Sequence, residues 1–286
     1  MSLKQELESG RFTITAEICP PRGTDTMQFL EKARLLKGRI AAANVTDNQR
    51  AVMRLSSLSC SKLLLDDGIE PVFQVTCRDR NRLALQSDIM GAWALGIKNV
   101  LALTGDHVSA GDHREAKAVF DLDSVQLVQL INTLNNGKNM NNVALRGSTG
   151  FFIGAVVAPE ADPWEPEEIK FEKKIAAGAS FFQTQALFDM EGFKRFFEYA
   201  ERFGVKVLGG LLLLKSAKMA HYLNEKVAGV TVPQTLIDQL EAAPDQLEKG
   251  IEIAAGQLRE LKRFCHGAHI MAIGHEESVL RIIEEA

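Results

Sequence analysis

The 286-residue chain has no long hydrophobic run and no excess of positive charge. The apolar run Leu208 to Leu214 contains two glycines and is far shorter than the roughly 20 residues that span a bilayer. The formal net charge is -4, whereas a protein that binds phosphate backbones needs a positive surface. The sequence therefore predicts neither a membrane protein nor a partner of nucleic acid.

Cysteines are few and scattered, and no two have the CxxC spacing. We interpret Cys19, Cys60, Cys77 and Cys265 as structural thiols and not as a disulfide framework or a metal site. Cys265-His266 with His269 and His275 does not fit the ligand spacing of zinc, so no metal is expected. The segment Met1 to Glu6 lacks an apolar signal region, which predicts a cytoplasmic protein.

Short apolar or β-branched runs alternate along the chain with longer segments whose apolar residues recur every three or four positions. The predicted strands are Phe12 to Ile18, Ile40 to Thr46, Pro71 to Thr76, Asn99 to Leu103, Phe151 to Val157, Ala179 to Thr184, Val205 to Leu208 and His269 to Ile273. Apolar helical faces are formed by Leu122, Val125, Val128 and Leu134, by Met190, Phe193, Phe197 and Ala200, and by Leu247, Ile251, Ala254, Leu258 and Leu261.

Eight strands with intervening helices in fewer than 300 residues indicate a (βα)8 TIM barrel. An open dinucleotide-binding sheet is less suitable, because the GxGxxG fingerprint does not follow the first strand. We predict a single α/β domain over residues 1–286. The polar stretch Asn135 to Asn142 is interpreted as a surface loop before the fifth strand and not as a linker.

Polar side chains gather where the predicted strands end, which in a TIM barrel is the rim that carries the active site. They are Glu17, Thr46, Asp47, Thr76, Asp79, Asp106, Glu160 and Gln185. Asp47 or Asp79 could instead cap the helix that follows, and Gly105-Asp106 could be a simple turn.

Glu17 is the most informative of these positions. It lies between Ala16 and Ile18, just before two prolines that supply no backbone donor. Partly apolar surroundings raise the pKa of a carboxyl group, as a general acid requires. We therefore expect Glu17 to be a catalytic acid.

Eight motifs, in their order and spacing, resemble the methylenetetrahydrofolate reductase family of the short bacterial type over nearly the whole chain. They are Ala16-Glu17-Ile18-Cys19-Pro20-Pro21-Arg22, Asn44-Val45-Thr46-Asp47, Gln74-Val75-Thr76-Cys77-Arg78-Asp79, Leu103-Thr104-Gly105-Asp106, Ala158-Pro159-Glu160, Lys174-Ile175-Ala176-Ala177-Gly178-Ala179, Thr184-Gln185 through Phe188-Asp189, and Gly267-Ala268-His269-Ile270-Met271-Ala272. The resemblance implies a flavin-bearing barrel that reduces 5,10-methylenetetrahydrofolate to 5-methyltetrahydrofolate.

The resemblance also implies roles for individual residues. Glu17 would protonate the departing nitrogen, Asp106 would lie close to flavin and pterin, and Gln185 would pair with the pterin. The positions that would hold the flavin are Thr46, Gln74, Thr76, Asp79, Thr104, Gly105, Asp106, Ala158, Glu160, Glu167 and Lys174. For Lys174, a solvated position on a helix is an equal alternative. FAD is favoured as the flavin, with FMN as the other choice.

The chain departs from the family pattern at several positions. Thr104 replaces an arginine, Ala158 replaces an aromatic residue, and Ala217 lies near the position of a phenylalanine that sandwiches nicotinamide and folate. After the seventh strand, Gly210-Leu211-Leu212-Leu213 replaces Gly-Ile-x-Pro. Electrons would come from NADH or NADPH directly, or through a cysteine-rich partner subunit as in one branch of the family. We also expect an oligomer.

Two alternative functions are compatible with the same residues. The first is a pterin-dependent methyltransferase, a barrel that binds folate without a flavin. The second is a subunit that works only within an electron-transfer complex. The apolar run Leu211 to Leu214 is either the buried end of a strand and its turn or an exposed patch for a partner.

Overall fold

The computed structural model describes residues 1–227 and 229–286. Its eight parallel strands close into a barrel in the order β1-β2-β3-β4-β5-β6-β7-β8. The strands are β1 (Thr13–Ile18), β2 (Ala42–Val45), β3 (Pro71–Thr76), β4 (Asn99–Leu103), β5 (Phe152–Val157), β6 (Phe181–Ala186), β7 (Lys206–Leu212) and β8 (Gly267–Met271). The predicted (βα)8 barrel is confirmed.

Helices cover the outside of the barrel, except the first, which lies at its bottom. They are α1 (Leu3–Glu8), α2 (Met27–Leu36), α3 (Ser57–Asp66), α4 (Arg82–Ala94), α5 (Ser124–Asn135), α6 (Glu165–Ala177), α7 (Met190–Glu201), α8 (Ala217–Lys226), α9 (Gln234–Ala242), α10 (Gln246–Leu261) and α11 (Glu276–Glu284). The three predicted apolar faces belong to α5, α7 and α10, except that Leu122 precedes α5, and most of their residues are buried.

Strand boundaries differ from the prediction mainly in β6, β7 and β8, and β8 begins and ends two residues earlier than predicted. β7 continues to Leu212, because its register with β8 runs on from Gly210 to Leu212 after two glycines whose small size admits neighbouring atoms. A register shift between Gln183 and Ala186 extends β6, so that Gln185 lies within the strand and not after it. Glu17 is likewise the penultimate residue of β1.

The apolar run Leu211 to Leu214 is buried, with at most 6% of any of these residues exposed. Its first two residues end β7 and the others follow it into the core. The interpretation as a buried strand end is confirmed, and the alternative of an exposed apolar patch was wrong.

The N-terminal helix α1 closes the bottom of the barrel. Ser2 caps it by accepting a hydrogen bond from the Gln5 backbone, while the Gln5 side chain accepts one from the Ser2 backbone. Leu3 and Leu7 are completely buried in one apolar cluster with residues of the strands. The strand residues of this cluster are Ala42, Val72, Leu101, Phe152, Phe181 and Leu208. The bottom of the barrel is therefore a packed core, which leaves the opposite rim for chemistry.

A polar layer lies above this core in the middle of the barrel. Asn44 and Gln183 exchange hydrogen bonds of 2.8 and 3.2 Å, and Thr15 Oγ1 lies 2.9 Å from His269 Nδ1. A longer contact of 3.4 Å joins Gln183 to Thr15. All four residues are at least 97% buried, so the layer is satisfied by its own members and not by solvent.

The segment between α5 and β5 is a polar loop, as predicted. Asn139 Oδ1 accepts hydrogen bonds from the backbones of Asn141 and Val143, and Asn142 has a left-handed φ of 62°. None of the helices within residues 1–227 and 229–286 is both long and apolar enough to cross a bilayer.

Candidate functional site

Strand alternation decides which side chains point into the barrel. In β1, Ala16 and Ile18 pack in the outer core against the helices, so Thr15 and Glu17 face the barrel axis. In β2, Ala43 and Val45 are likewise outward, which turns Asn44 and the following Thr46 inward. Glu17 and Thr46 thus lie one layer above the polar layer of Asn44, Gln183, Thr15 and His269, at the C-terminal rim.

Glu17 is a buried carboxyl group with one amide partner. Gln49 Nε2 donates to its Oε1 at 3.0 Å. Burial raises the pKa of Glu17 to about 7, an effect that Glu276 strengthens, while the Gln49 hydrogen bond and the charge of Arg54 oppose it. The raised pKa agrees with the expectation from the sequence and keeps a proton available near neutral pH.

Thr46 has a buried hydroxyl group that lacks a partner. Burial raises the pKa of the nearby Cys19 thiol, and the Thr46 hydroxyl opposes this rise. No atom of the described residues completes a hydrogen bond with Thr46 Oγ1. Buried polar atoms are normally paired, so an unpaired one at the barrel mouth indicates a place where a ligand supplies the missing partner.

Asp47 ties the ends of β2 and β3 together. Its Oδ2 accepts from the backbone and hydroxyl of Thr76, each at 2.9 Å, and Arg80 contacts both carboxylate oxygens. These bonds occupy the carboxylate of Asp47 and the hydroxyl of Thr76. Asp47 therefore does not cap the following helix.

Asp79 forms a two-point ion pair with the buried Arg78, at 2.8 and 2.6 Å. Burial opposes ionisation of Asp79, but the hydrogen bond and charge of Arg78 prevail and lower its pKa. Asn81, and not Asp79, caps α4. Arg78 also donates to the carbonyls of Asn48 and Asp106, so one guanidinium joins the segments after β2, β3 and β4.

The segment after β4 holds Thr104, Gly105 and Asp106 in a tight turn. Gly105 has a φ of +88°, and a Cβ there would lie 3.0 Å from Thr76 Cβ, so both conformation and space favour glycine. Asp106 is exposed and accepts from the Arg50 backbone at 3.1 Å, while Thr104 Oγ1 accepts from the Ser124 backbone. Arg78 places a guanidinium 3.4 Å from the Asp106 carbonyl.

Lys174 is buried, with 6% of the residue exposed. Its Nζ donates to the carbonyl of Val156 near the end of β5, at 2.6 Å, and its pKa is lowered by burial while the charge of Glu167 opposes this effect. The solvated position on a helix was therefore wrong. An ammonium group has three donor hydrogens, and within the described residues Lys174 uses one of them.

The remaining residues after β5 form a backbone-supporting cluster. Glu167 accepts from the Ala158 backbone at 3.1 Å, and Glu160 accepts from the backbones of Phe188 and Asp189 at 2.7 and 2.8 Å. Glu160 thereby joins the segments that follow β5 and β6. It also lines an open cavity of about 570 Å³ with Trp164, Phe188 and Arg195.

Two amides complete the predicted set. Gln74 is buried in β3 with 6% exposure, and Gln185 is exposed near the end of β6. Gln183, two residues earlier, belongs to the polar layer in the middle of the barrel. The structure thus places Glu17, Thr46, Thr76, Asp106 and Gln185 at or just after the C-terminal ends of their strands. Gln74 lies two residues before the end of β3, and Glu167 and Lys174 belong to α6. Glu160, Asp79, Asp47 and Thr76 are already engaged with protein groups.

Ala217 begins α8 and is buried in an apolar cluster, so it offers no stacking surface. An exposed aromatic residue follows on the same helix at Tyr222. Its hydroxyl accepts a hydrogen bond from Arg50, and the guanidinium lies 5.4 Å from the ring centroid. This contact joins the segment after β2 to α8, which follows β7. In the barrel, β8 and β1 lie between β7 and β2.

Sequence reasoning missed Gln49, Arg50 and Glu276. Gln49 and Arg50 come two and three residues after the Asn44 to Asp47 motif, and Glu276 opens α11 after β8. Their places after strands were the available signal. Glu276 is buried and forms a 2.7 Å ion pair with Lys32. In residues 1–227 and 229–286, no group of three or more His, Cys, Asp or Glu side chains is arranged to hold a metal ion.

A closed parallel barrel whose rim holds a buried glutamate with a raised pKa, an unpaired hydroxyl and a buried lysine defines a (βα)8-barrel enzyme. The methylenetetrahydrofolate reductase family model matches residues 2–286. The chain belongs to this family and is an oxidoreductase. Membership decides against the pterin-dependent methyltransferase.

Relatives of known description are similar at moderate identity. The 5,10-methylenetetrahydrofolate reductase of Pectobacterium carotovorum subsp. carotovorum is 26% identical over 265 residues, which cover 89% of this chain and 83% of that protein. The Escherichia coli K12 enzyme is 24% identical with the same coverage. A probable methylenetetrahydrofolate reductase (NADPH) of Caenorhabditis elegans is 23% identical, and the match covers 94% of this chain but 41% of the nematode protein.

Solved structures share the fold at lower identity. An uncharacterized protein from Clostridium thermocellum that binds two copies of 5-methyl-5,6,7,8-tetrahydrofolic acid superposes with a TM-score of 0.67 and 15% identity, covering 99% of this chain and 97% of that one. DmoA from Hyphomicrobium sulfonivorans gives a TM-score of 0.53 at 9% identity, covering 96% and 86%. At these identities the likeness concerns the barrel alone.

Proposed function

We propose that this chain catalyses the flavin-dependent reduction of 5,10-methylenetetrahydrofolate to 5-methyltetrahydrofolate, with Glu17 as the general acid. The observation that carries the proposal is the buried Glu17 carboxyl group, whose pKa is raised to about 7 at the barrel rim. A proton donor of this kind serves a substrate whose carbon accepts hydride only after a carbon–nitrogen bond opens.

The family generally binds a flavin, and two features of the rim fit such a group. The unpaired hydroxyl of Thr46 is available for a polar ring atom, and the buried ammonium of Lys174 retains donor capacity for an anionic or hydroxylated portion. Glu167, whose charge opposes the effect of burial on the pKa of Lys174, would bind the same portion of the flavin. When bound, the reduced flavin supplies the hydride.

Glu17 has a defined role in the proton balance. It donates its proton to the departing nitrogen, which keeps the electron pair of the broken carbon–nitrogen bond, and the carboxyl group becomes a carboxylate. The bridging carbon is left as an electrophilic iminium. Asp106, held at the rim by the Arg50 backbone, contributes a negative charge that stabilises this cation.

Gln185 is proposed to bind the pterin. Its exposed amide near the end of β6 offers a donor and an acceptor together, which suits a pterin edge that carries both.

Replacing Gln185 with alanine is expected to raise the KM for methylenetetrahydrofolate by roughly tenfold or more, since one or two hydrogen bonds to the ligand are lost. Flavin content is expected to stay the same. Steady-state kinetics would measure the effect, with Gln129→Ala on the exposed face of α5 as the matched control. Equal KM values for the two variants would remove Gln185 from the folate site.

Replacing Lys174 with methionine is expected to weaken flavin binding by roughly tenfold or more, because a charge-assisted hydrogen bond to the ligand is lost. Methionine preserves most of the volume of the buried side chain. Titration of the apoprotein with FAD and with FMN, followed by flavin fluorescence, gives the dissociation constants. The exposed neighbour variant Lys173→Met is the control, and equal affinities for both variants would contradict the assignment. A wild-type preference for FAD over FMN would support FAD as the cofactor.

The electron donor is tested on the same protein under anaerobic conditions. Loss of the flavin absorbance band on addition of NADH or NADPH would show direct reduction. Retention of the band, together with reoxidation of chemically reduced protein by methylenetetrahydrofolate, would support supply through a partner subunit. Absence of a flavin band after reconstitution would contradict the proposed function.

A further inference from the structure

Gln49 connects two side chains of the β1 segment. Its Nε2 donates to Glu17 Oε1 at 3.0 Å, and its Oε1 accepts from the Cys19 thiol at 3.3 Å. Cys19 and Gln49 are half-buried and Glu17 is buried. The three residues therefore form one directed chain of hydrogen bonds, from the Cys19 thiol through the Gln49 amide to the Glu17 carboxyl group.

The segment that carries Gln49 is held in an unusual backbone conformation. Asn48, Arg50 and Ala51 have left-handed φ values of 45°, 57° and 55°. Such residues persist where surrounding contacts fix them, and they cluster at functional sites. The position of Gln49 is thus imposed by the fold and not by local preference.

Contacts from two other segments, those after β3 and β4, hold this conformation. Asp106 accepts from the Arg50 backbone, and Asp112 accepts from the Met53 backbone at 3.1 Å. Arg78 donates to the Asn48 carbonyl at 3.1 Å. A Cβ at Gly111 would lie 1.8 Å from the Ala51 carbonyl oxygen, so the segment after β4 is packed directly against the one that carries Gln49.

The direction of the chain follows from the chemistry of its ends. An amide side chain can be turned over, so its orientation is set by its neighbours. Burial raises the pKa of Cys19 to about 11, an effect that Glu17 strengthens, so the thiol is protonated and serves as a donor. The amide oxygen consequently faces Cys19, and the amide nitrogen faces Glu17.

We propose that Gln49, oriented by the Cys19 thiol, is a positioning residue that keeps Glu17 Oε1 occupied as an acceptor and directs the transferable proton to Oε2. This inference rests on the proposed role of Glu17 as the acid. A protonated carboxyl group carries one hydrogen, and the Gln49 donor favours placing it on the other oxygen. Gln49 thereby selects which face of the carboxyl group delivers the proton.

Other charged and titratable groups also act on Glu17. Glu276 at the start of α11 raises its pKa and Arg54 lowers it, while Cys19 lies on the same strand end. Lys32 on α2 pairs with Glu276 and fixes that carboxylate. None of these charges changes when Gln49 is replaced by a neutral side chain, so the effect of the amide can be isolated.

Gln49→Met, which keeps the length of the side chain but removes both hydrogen bonds, tests the inference. Because the amide stabilises the carboxylate, its loss is expected to raise the pKa of Glu17 by roughly one to two units. The alkaline limb of the pH–kcat profile should move upward by the same amount. At neutral pH, kcat should fall roughly tenfold while the KM for methylenetetrahydrofolate stays within about twofold, since orientation and not binding is lost.

The pKa of Glu17 can be measured without catalysis, by 13C NMR of the full-length protein labelled at glutamate Cδ. The Glu17 signal is assigned by its absence in Glu17→Gln. Cys19→Val should shift this titration in the same direction as Gln49→Met. Cys19→Ser, which restores a hydroxyl donor, should recover most of the change. Gln129→Met on α5 controls for the loss of an amide elsewhere.

An unchanged Glu17 titration and pH profile in Gln49→Met would overturn the inference. So would equal behaviour of Cys19→Val and Cys19→Ser. Retained activity in Glu17→Gln would contradict the proposed function instead, while the NMR titration would still report whether Gln49 bonds to Glu17. Thermal melting of Gln49→Met and a second variant, Gln49→Ala, separates a folding defect from loss of the hydrogen bond.

Discussion

Replacing Glu17 with glutamine is expected to lower the rate of methylenetetrahydrofolate reduction by roughly 10²- to 10⁴-fold, the usual contribution of a positioned general acid. Glutamine keeps the shape of the side chain but has no proton of suitable acidity. Flavin binding should be unchanged, because the residues proposed for it lie after β2 and on α6 and not on β1. The measurement is the anaerobic reoxidation of reduced, flavin-loaded protein by methylenetetrahydrofolate.

Glu198→Gln on the exposed face of α7 is the matched control and should keep the wild-type rate. Full activity of Glu17→Gln would contradict the mechanism. The pH profile provides a second check. Because protonated Glu17 is the active form, kcat should decline as pH rises through about 7.

The same substitution should not weaken the fold. The pKa of Glu17 rises from 4.5 to about 7 on folding, so the folded state holds the proton more tightly and ionisation destabilises it. This difference corresponds to about 3 kcal/mol. Stability is lost as pH rises through the interval from 4.5 to about 7, and Glu17→Gln should escape the loss. Urea unfolding of both proteins should agree near pH 4.5 and diverge by this amount above pH 7.5.

Acidification is expected to destabilise the barrel from within, through His269. This residue is 3% exposed in the polar layer of the barrel, and burial lowers its pKa from 6.5 to about 3. The unfolded chain therefore takes up the proton first. Stability is complete above pH 6.5 and is lost as pH falls towards 3, by about 5 kcal/mol for this one group.

His269→Gln isolates this effect, because an amide can bond to Thr15 without titrating in this range. The variant should lose less stability than the wild type between pH 6.5 and pH 3, as measured by urea unfolding at a series of pH values. His266, whose pKa burial lowers to about 4, and Glu17 titrate equally in both proteins, so the difference between the two curves reports His269. His221→Gln, at an exposed position, is the control. Parallel curves for wild type and His269→Gln would show that His269 is not the responsible group.

The sequence predicted the site where residues could be located by their place along a strand. Glu17, Thr46 and Asp106 stand at or just after strand ends, and parallel strands bring those ends to one rim. The extension of β6 over Gln185 was not predicted, because a register shift depends on how the neighbouring strand pairs.

Partners of the site residues could not be predicted in the same way. Lys174 follows the charged residues Glu172 and Lys173 on a helix, a context typical of an exposed position, yet it is buried against the carbonyl of Val156. Gln49 is unremarkable in the sequence but contacts Glu17, 32 positions away. Such contacts arise when distant segments pack together, and no local pattern encodes them.

The sequence by itself determined the barrel, the family and the identity of the candidate acid, because strand and helix periodicity and the ordered motifs are local properties of the chain. Only the tertiary structure decided how that acid is held, which carboxylates are already bound to arginine or backbone, and which polar atoms are left for a ligand. The physical reason is that burial and hydrogen bonding depend on side chains that meet only after the barrel closes, and these two effects set the pKa and orientation of each group.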